Sequence, residues 1–261
     1  MSASPAPALE VRHVSKRFHA NGLEVQALED VSFSVAQQEF VTIVGPSGSG
    51  KSTLFNLIVG LLDPDEGEIC LDGERSGERL GRVGYMPQRD LLLPWRSVLD
   101  NVIVALELRG EPVPRARDQA RQLLPLFGLD GFADVYPATL SGGMRQRAAL
   151  LRAVLSQRSL LLLDEPFGAL DALTRREMQD WLLGLWQRLR QTILFITHDV
   201  DEAVYLGDRA LVLSARPGRV VGEIPIQLPR PRRQSMVGRP EFGGLVARLL
   251  TTLGVPDEAG E

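Results

Sequence analysis

Gly45-Pro46-Ser47-Gly48-Ser49-Gly50-Lys51-Ser52-Thr53 is the run in this 261-residue chain with the clearest chemical meaning. Gly45, Gly50, Lys51 and Ser52 stand at the spacing of a phosphate-cradling loop. Glycines let the backbone fold closely enough for successive N–H groups, and the N-terminus of a following helix, to face phosphate oxygens. Lys51 then neutralises the outer two phosphates, and the Ser52 hydroxyl is suited to ligate Mg²⁺. Only two of the 29 basic residues are lysines, Lys16 and Lys51. An ammonium is a compact point charge that fits between phosphate oxygens, whereas a guanidinium is a wide planar fork. The competing reading, a flexible Gly-Ser turn, is disfavoured by the apolar strand before the run and the helical pattern after it.

Three further runs of strand length end in chemically able residues. Residues 160–163 lead into Asp164-Glu165, residues 82–86 into Pro87-Gln88, and residues 192–196 into Thr197-His198. In open parallel sheets ligands gather outside the carboxyl ends of the strands, so these ends should face the phosphate loop. Asp164 is suited to hold Mg²⁺ directly or through water. Glu165 is suited to polarise the water that attacks a γ-phosphate, a contribution of about 10²–10⁴ in rate. His198 could hydrogen-bond that phosphate and orient the water, although a lone histidine is more often structural. Gln88 taken alone reads equally well as a surface glutamine.

The elements needed to hold these groups are visible in the pattern. Residues 40–44, 82–86, 160–163 and 192–196 are nearly all apolar, as parallel strands covered on both faces are. Helical spacing marks 51–61, 98–109, 115–127, 142–155 and 173–190. The order is α/β, with a mostly parallel sheet. Residues 31–34 and 68–71 alternate and predict an antiparallel β layer near the N-terminus. Residues 89–156 read as helices joined by Pro and Gly turns, an inserted α-helical subdomain between core segments 9–88 and 157–230. Residues 231–261 are expected to be a C-terminal tail, and residues 1–8 and 255–261 to be loose ends.

Composition sets the outer limits. A formal charge of −4, with 44% hydrophobic and 24% charged residues, excludes disorder across the chain and gives no reason to expect nucleic-acid binding. No apolar run approaches the roughly 20 residues of a membrane helix. The N-terminus lacks the pattern of a secretory signal, so a reducing compartment is expected, and the single cysteine, Cys70, agrees.

Leu140-Ser141-Gly142-Gly143-Met144-Arg145-Gln146-Arg147 resembles the signature of ABC-type ATPases, and the order of the other motifs fits that family over nearly the whole chain. Taken alone, the run reads first as a capped amphipathic helix, with Ser141 at its N-cap. The resemblance implies an α/β fold with a P-loop NTPase (RecA-like) core, and ATP and Mg²⁺ as cofactors. It makes Phe18 the aromatic that stacks on adenine, though a lone aromatic there is as often a core residue. Gly45, Pro46, Ser47, Gly48, Ser49, Gly50, Lys51, Ser52 and Thr53 become the phosphate loop, with Lys51 also catalytic. Gln88 senses metal and water, Asp164 holds magnesium beside Ser52, Glu165 is the catalytic base and His198 the switch. Ser141, Gly142 and Gly143 cap the nucleotide of a second copy, and Asp171, in Gly168-Ala169-Leu170-Asp171, reaches across that interface.

The same resemblance implies a nucleotide-sandwich homodimer on the cytoplasmic face of the inner membrane, bound to integral membrane permease subunits. A groove between the helical subdomain and the Gln88 region would take a cytoplasmic helix of the permease. An extracytoplasmic substrate-binding protein would be an indirect partner, and nucleic acid none. Residues 92–102 and 214–220 resemble the subgroup that imports nitrate, sulfonates and taurine, with thiamine-precursor importers close by. The added β-domain of sugar-import relatives is not expected, because few residues follow the core in this sequence. An exporter or lipoprotein-release subunit, or a soluble non-transport ATPase of the superfamily, is the alternative.

Overall fold

The structure is a computed structural model that describes residues 6–20, 23–75 and 77–255. In chain order a long hairpin, β1 (Leu9–Ala20) and β2 (Leu23–Val35), precedes β3 (Phe40–Val44) and α1 (Lys51–Val59). Next come β4 (Glu66–Leu71), β5 (Glu74–Arg75) and β6 (Gly84–Met86). Four helices follow without an intervening strand: α2 (Val98–Val102), α3 (Val104–Leu108), α4 (Val113–Leu123) and α5 (Gly142–Val154). The chain then returns through β7 (Leu160–Asp164), α6 (Ala172–Leu189), β8 (Thr192–Ile196), α7 (Val200–Leu206), β9 (Arg209–Leu213), β10 (Val220–Pro225) and α8 (Pro240–Thr252).

Two sheets form. One is antiparallel in the order β2-β1-β4-β5, and the other has the order β10-β9-β3-β8-β7-β6, parallel except for β10. The parallel sheet is a wall between two cores, and the period-2 geometry of strands sorts its side chains between them. Val41, Ile43, Leu160, Leu162, Leu194 and Ile196 pack toward α1 and the antiparallel sheet. Phe40, Val44, Leu161, Leu163, Ile193 and Phe195 pack into the other core, which runs through the helical region. Every residue of β3, β7 and β8 is buried, which is why these strands read as continuous apolar runs.

Register decides what the strands deliver. Ile43 pairs with Ile196, Ile196 with Asp164, and Leu163 with Met86, so the carboxyl ends of β3, β8, β7 and β6 finish level. With neighbouring strands about 4.8 Å apart, those four ends lie within roughly 14 Å. The loops bearing Lys51, His198, Glu165 and Gln88 therefore start from one edge.

The local outcome differs from the sequence expectation in several places. The helix expected over 98–109 breaks at Ile103 into α2 and α3. Val102, Ile103 and Val104 are three consecutive β-branched residues, each costly in a helix. The helix expected over 115–127 begins two residues earlier and ends at Leu123, because Pro125 has no N–H to continue it. The strand expected over 82–86 keeps only Gly84–Met86. The antiparallel layer is larger than 31–34 and 68–71, since it includes all of β1 and β2. Ala8, expected in a loose end, is buried; its N–H donates to Val35 O (2.8 Å) and its carbonyl accepts from Asp72 N (3.1 Å). Residues 231–261, expected as a tail, contain α8, whose Phe242 and Leu249 are buried in the larger core. Of the loose ends expected at 1–8 and 255–261, residues 1–5 and 256–261 lie outside the described residues.

Candidate functional site

The phosphate loop leaves the centre of the parallel sheet and turns into α1 at Gly50. Gly50 has φ +90° and lies so close to the β2 backbone that a Cβ there would sit 2.9 Å from Ala27 O. Only glycine meets both demands at low cost. No side chain caps α1. Its first amides therefore open toward the loop, as at an anion-binding helix end. The Lys51 Nζ donates to Gly45 O (2.7 Å), Pro46 O (2.9 Å) and Ser49 Oγ (3.3 Å), which holds the ammonium against the loop. Burial lowers the Lys51 pKa, opposed by the charges of Glu165 and Asp164.

Asp164 ends β7 and is buried at 4% exposure. Burial is the main cause that pushes its pKa up to about 6; neighbouring Glu165 acts in the same direction, while the Ser52 hydroxyl and Lys51 pull it down. A buried carboxylate at such a cost, bonded to a hydroxyl, is a donor set that fits a hard cation with oxygen ligands. No group of three or more His, Cys, Asp or Glu that could hold a metal exists among the described residues. A magnesium ion fits these residues because it keeps several waters and takes other ligands from phosphate.

Glu165 follows with φ +44°, in the left-handed region that a non-glycine residue enters at a cost of about 1–3 kcal/mol. Its N–H donates to Ile196 O (3.0 Å) and its carbonyl accepts from Gly168 N (3.1 Å), which fixes the turn. The side chain thereby meets two others. Gln88 Nε2 donates to Glu165 Oε2 at 3.1 Å, and His198 Nδ1 lies 3.2 Å from the same oxygen. In the tautomer with its proton on Nδ1, the His198 ring donates to that oxygen. Three strand ends thus converge on one oxygen atom.

A cavity of about 470 Å³ opens over this group and is lined by Ser47, Gly48, Ser49, Gly50, Lys51, Ser52 and Thr53 together with Gln88, Glu165 and His198. Asp164 lies beside it through Ser52, and Gly45 and Pro46 through Lys51. Ala27 and Arg216 also line it, and neither was singled out as a site residue from the sequence. The only signal for Arg216 was its place in a run that resembled one transporter subgroup.

The remaining expected site residues do not line this cavity. Phe18 sits on β1 opposite Val25, 37% exposed, with Lys16 Nζ 5.9 Å from its ring centroid, and is not in the cavity lining. Ser141 caps α5 by accepting from Met144 N (3.3 Å). Gly142 lines a second cavity of about 410 Å³ with Arg89, Asp90, Arg145 and Leu170, and Gln88 is in the walls of both. Gly143 lies on the same first turn, against α6. Asp171 caps α6, accepting from Leu173 N (3.1 Å) and Thr174 N (3.0 Å); the bonds from Thr174 hold its carboxyl below the ordinary range.

Residues 28–168 match the family model described as ABC transporter. An uncharacterized ABC transporter ATP-binding protein of Methanocaldococcus jannaschii is 44% identical over 93% of this chain and 91% of its own length. An aliphatic sulfonates import ATP-binding protein of Bacillus cereus is 41% identical over 91% of this chain and 98% of its own. Among solved structures, a dimeric ATP-binding cassette in a post-hydrolysis state bound to ADP and Pi superposes with a TM-score of 0.74 at 30% identity, covering 84% of this chain and 99% of the other. With its lysine loop and its level row of strand ends, the chain belongs to the ABC transporter family, as an ATP-binding subunit that hydrolyses ATP.

Proposed function

We propose that this chain energises import of a small anionic solute of the aliphatic sulfonate class, by hydrolysing ATP between two copies of itself bound to a membrane permease. The observation that carries the hydrolytic part is the meeting of Gln88 and His198 on Glu165 Oε2 at the rim of the lysine-loop cavity. The import assignment rests on the 41% identity to the aliphatic sulfonates import protein of Bacillus cereus.

In this reading Lys51 and the amides of residues 47–53 bind the phosphates. Ser52 and Asp164 would hold a magnesium ion, which supplies positive charge against the transferring phosphoryl group. Glu165 accepts the proton of the attacking water as its oxygen bonds to the γ-phosphorus; the bond to the bridging oxygen breaks, and its electrons leave with ADP. His198 and Gln88 hold the carboxylate so that its orientation need not be found during the reaction. Phe18 stacks on adenine.

Ser141, Gly142 and Gly143 do not line the phosphate-loop cavity, and Gly142 lines a second cavity that shares only Gln88 with it. They cap the nucleotide of the second copy, with Asp171 at the same interface. The dimeric form of the ADP-bound structural relative supports this arrangement.

A third cavity of about 350 Å³, lined by Val83, Tyr85, Val104, Leu108, Arg109 and Arg152 among others, is mostly apolar and sits where the helical region meets β6. Leu108 is 84% exposed beside it. This groove takes a cytoplasmic helix of the permease. No helix among the described residues is long and apolar enough to cross a membrane. Attachment through that groove puts the chain at the cytoplasmic face of the cell membrane, with an extracytoplasmic binding protein as the indirect supplier of solute.

Glu165→Gln tests the chemistry. Steady-state hydrolysis should fall by about 10²-fold or more while ATP still binds; turnover near the wild-type rate would overturn the role of Glu165. Co-expression with its permease and reconstitution in vesicles tests the cargo: ATP-dependent uptake of an alkanesulfonate is expected, and its absence alongside uptake of another solute would overturn the substrate class.

A further inference from the structure

Arg216 stands in the turn between β9 and β10, far along the chain from the phosphate loop, yet it lines the same cavity. The turn is tied by backbone hydrogen bonds to β2, and it packs directly against the phosphate loop. Gly218 donates its N–H to Ala27 O (2.9 Å), and its carbonyl accepts from Glu29 N (3.0 Å). A Cβ on Gly218 would stand 2.0 Å from Ser49 O, so the two backbones touch at a point where no side chain fits. Within the turn, the Ser214 hydroxyl donates to Pro217 O (2.9 Å) and accepts from Arg219 N (3.0 Å), and Ser214 N donates to Arg219 O (2.9 Å). The position of residue 216 relative to the phosphate loop is therefore set by the bonds to β2, the bonds within the turn and the backbone contact of Gly218 with Ser49.

The two arginines of the turn differ. Arg219 is committed to Glu29, at 2.6 Å. Arg216 has no hydrogen bond or ion pair among the described residues, and one of its terminal nitrogens lies 3.6 Å from where a Cβ on Gly48 would stand. An uncommitted planar fork beside a phosphate-binding loop matches phosphate oxygens in geometry and charge. We propose that Arg216 binds the polyphosphate of ATP, as a second cation beside Lys51 supplied from the β9–β10 turn. This assignment rests on the reading that the cavity takes ATP.

The test compares wild type, Arg216→Gln, Arg216→Lys and Arg219→Gln by calorimetric titration with ATP and ADP, and by competition with adenosine. Arg216→Gln should weaken ATP about tenfold, equal to about 1.4 kcal/mol, and ADP by a similar factor. Adenosine should be unaffected, and ATP affinity should become less sensitive to NaCl. Arg216→Lys should restore part of the loss, and Arg219→Gln should stay within about twofold of wild type. Unchanged ATP affinity in Arg216→Gln would overturn the proposal. So would an equal loss in Arg219→Gln, which would mean that the turn's position matters rather than this charge, or an equal loss for adenosine, which would place the contact on base or sugar. Failure of the wild type to bind ATP would overturn the reading of the cavity itself, and Arg216's role with it.

Discussion

Replacing Asp164 by asparagine should make the metal-free protein more stable at neutral pH while destroying its activity. The buried carboxyl has its pKa raised from 3.8 to about 6, chiefly by loss of solvent. Because the folded state holds the proton more tightly than the unfolded chain, this group favours folding below pH 3.8 and loses that contribution as pH rises through about 6. At ~1.4 kcal/mol per pH unit, the ionised carboxylate costs the fold about 3 kcal/mol above that range. The amide of the substituted side chain would keep an oxygen for the Ser52 hydroxyl without the charge. Denaturant melts of wild type and Asp164→Asn in a chelator, from pH 4 to pH 8, should start close together. They should diverge in favour of the variant up to about 3 kcal/mol, or about 5 °C in Tm for a chain of this length. The wild type should regain ground when Mg²⁺ and ATP are added, and the variant should not. A variant that is less stable than wild type at pH 8, by a margin flat across pH, would refute the account of Asp164 as a carboxylate held at a cost for a cation.

Three further outcomes follow from the same geometry. Removing both Gln88 and His198 by Ala substitution should slow hydrolysis by a factor different from the product of the single losses, each about tenfold, because both side chains hold one oxygen; strictly multiplicative effects in a double-mutant cycle would separate them. Lys51→Ala and Ser141→Arg proteins should each be inactive, but mixed they should recover up to about a quarter of wild-type turnover from the one intact composite pocket in each mixed pair; no recovery on mixing would argue against a shared site. Leu108→Glu should leave hydrolysis by the isolated subunit within about twofold of wild type and abolish co-purification with the permease, since an exposed side chain is not part of the fold's core; retained co-purification would move the docking groove elsewhere.

Much of the site was readable because its strands are buried on both faces. β3, β7 and β8 have no exposed residue, so burial wrote them as unbroken apolar runs with the chemistry just beyond their ends. β1 and β2 were harder to see. Arg12, Lys16, Arg17, Glu24 and Glu29 carry their outward faces and ion pairs, and bulges between Val11 and Arg17 interrupt the alternation. The break at Ile103 was missed because hydrophobic spacing persists through it while three β-branched residues resist the helix. Arg216 could not be placed at the phosphate loop from spacing at all. Its nearness depends on the Gly218–Ser49 backbone contact, which exists only once two distant segments are folded together. Gln88 shows the reverse. Its residue type was uninformative, and the bond to Glu165 gives it meaning.

The meeting of two neighbours on Glu165 Oε2 makes the two halves of that carboxyl inequivalent. A carboxylate oxygen offers about two lone pairs, and here the amide of Gln88 and the ring of His198 occupy both. No side-chain donor among the described residues engages Oε1. The group is pinned at one corner and open at the other, so an incoming proton has a single address, and a shift of either neighbour would turn that address toward or away from the water it serves.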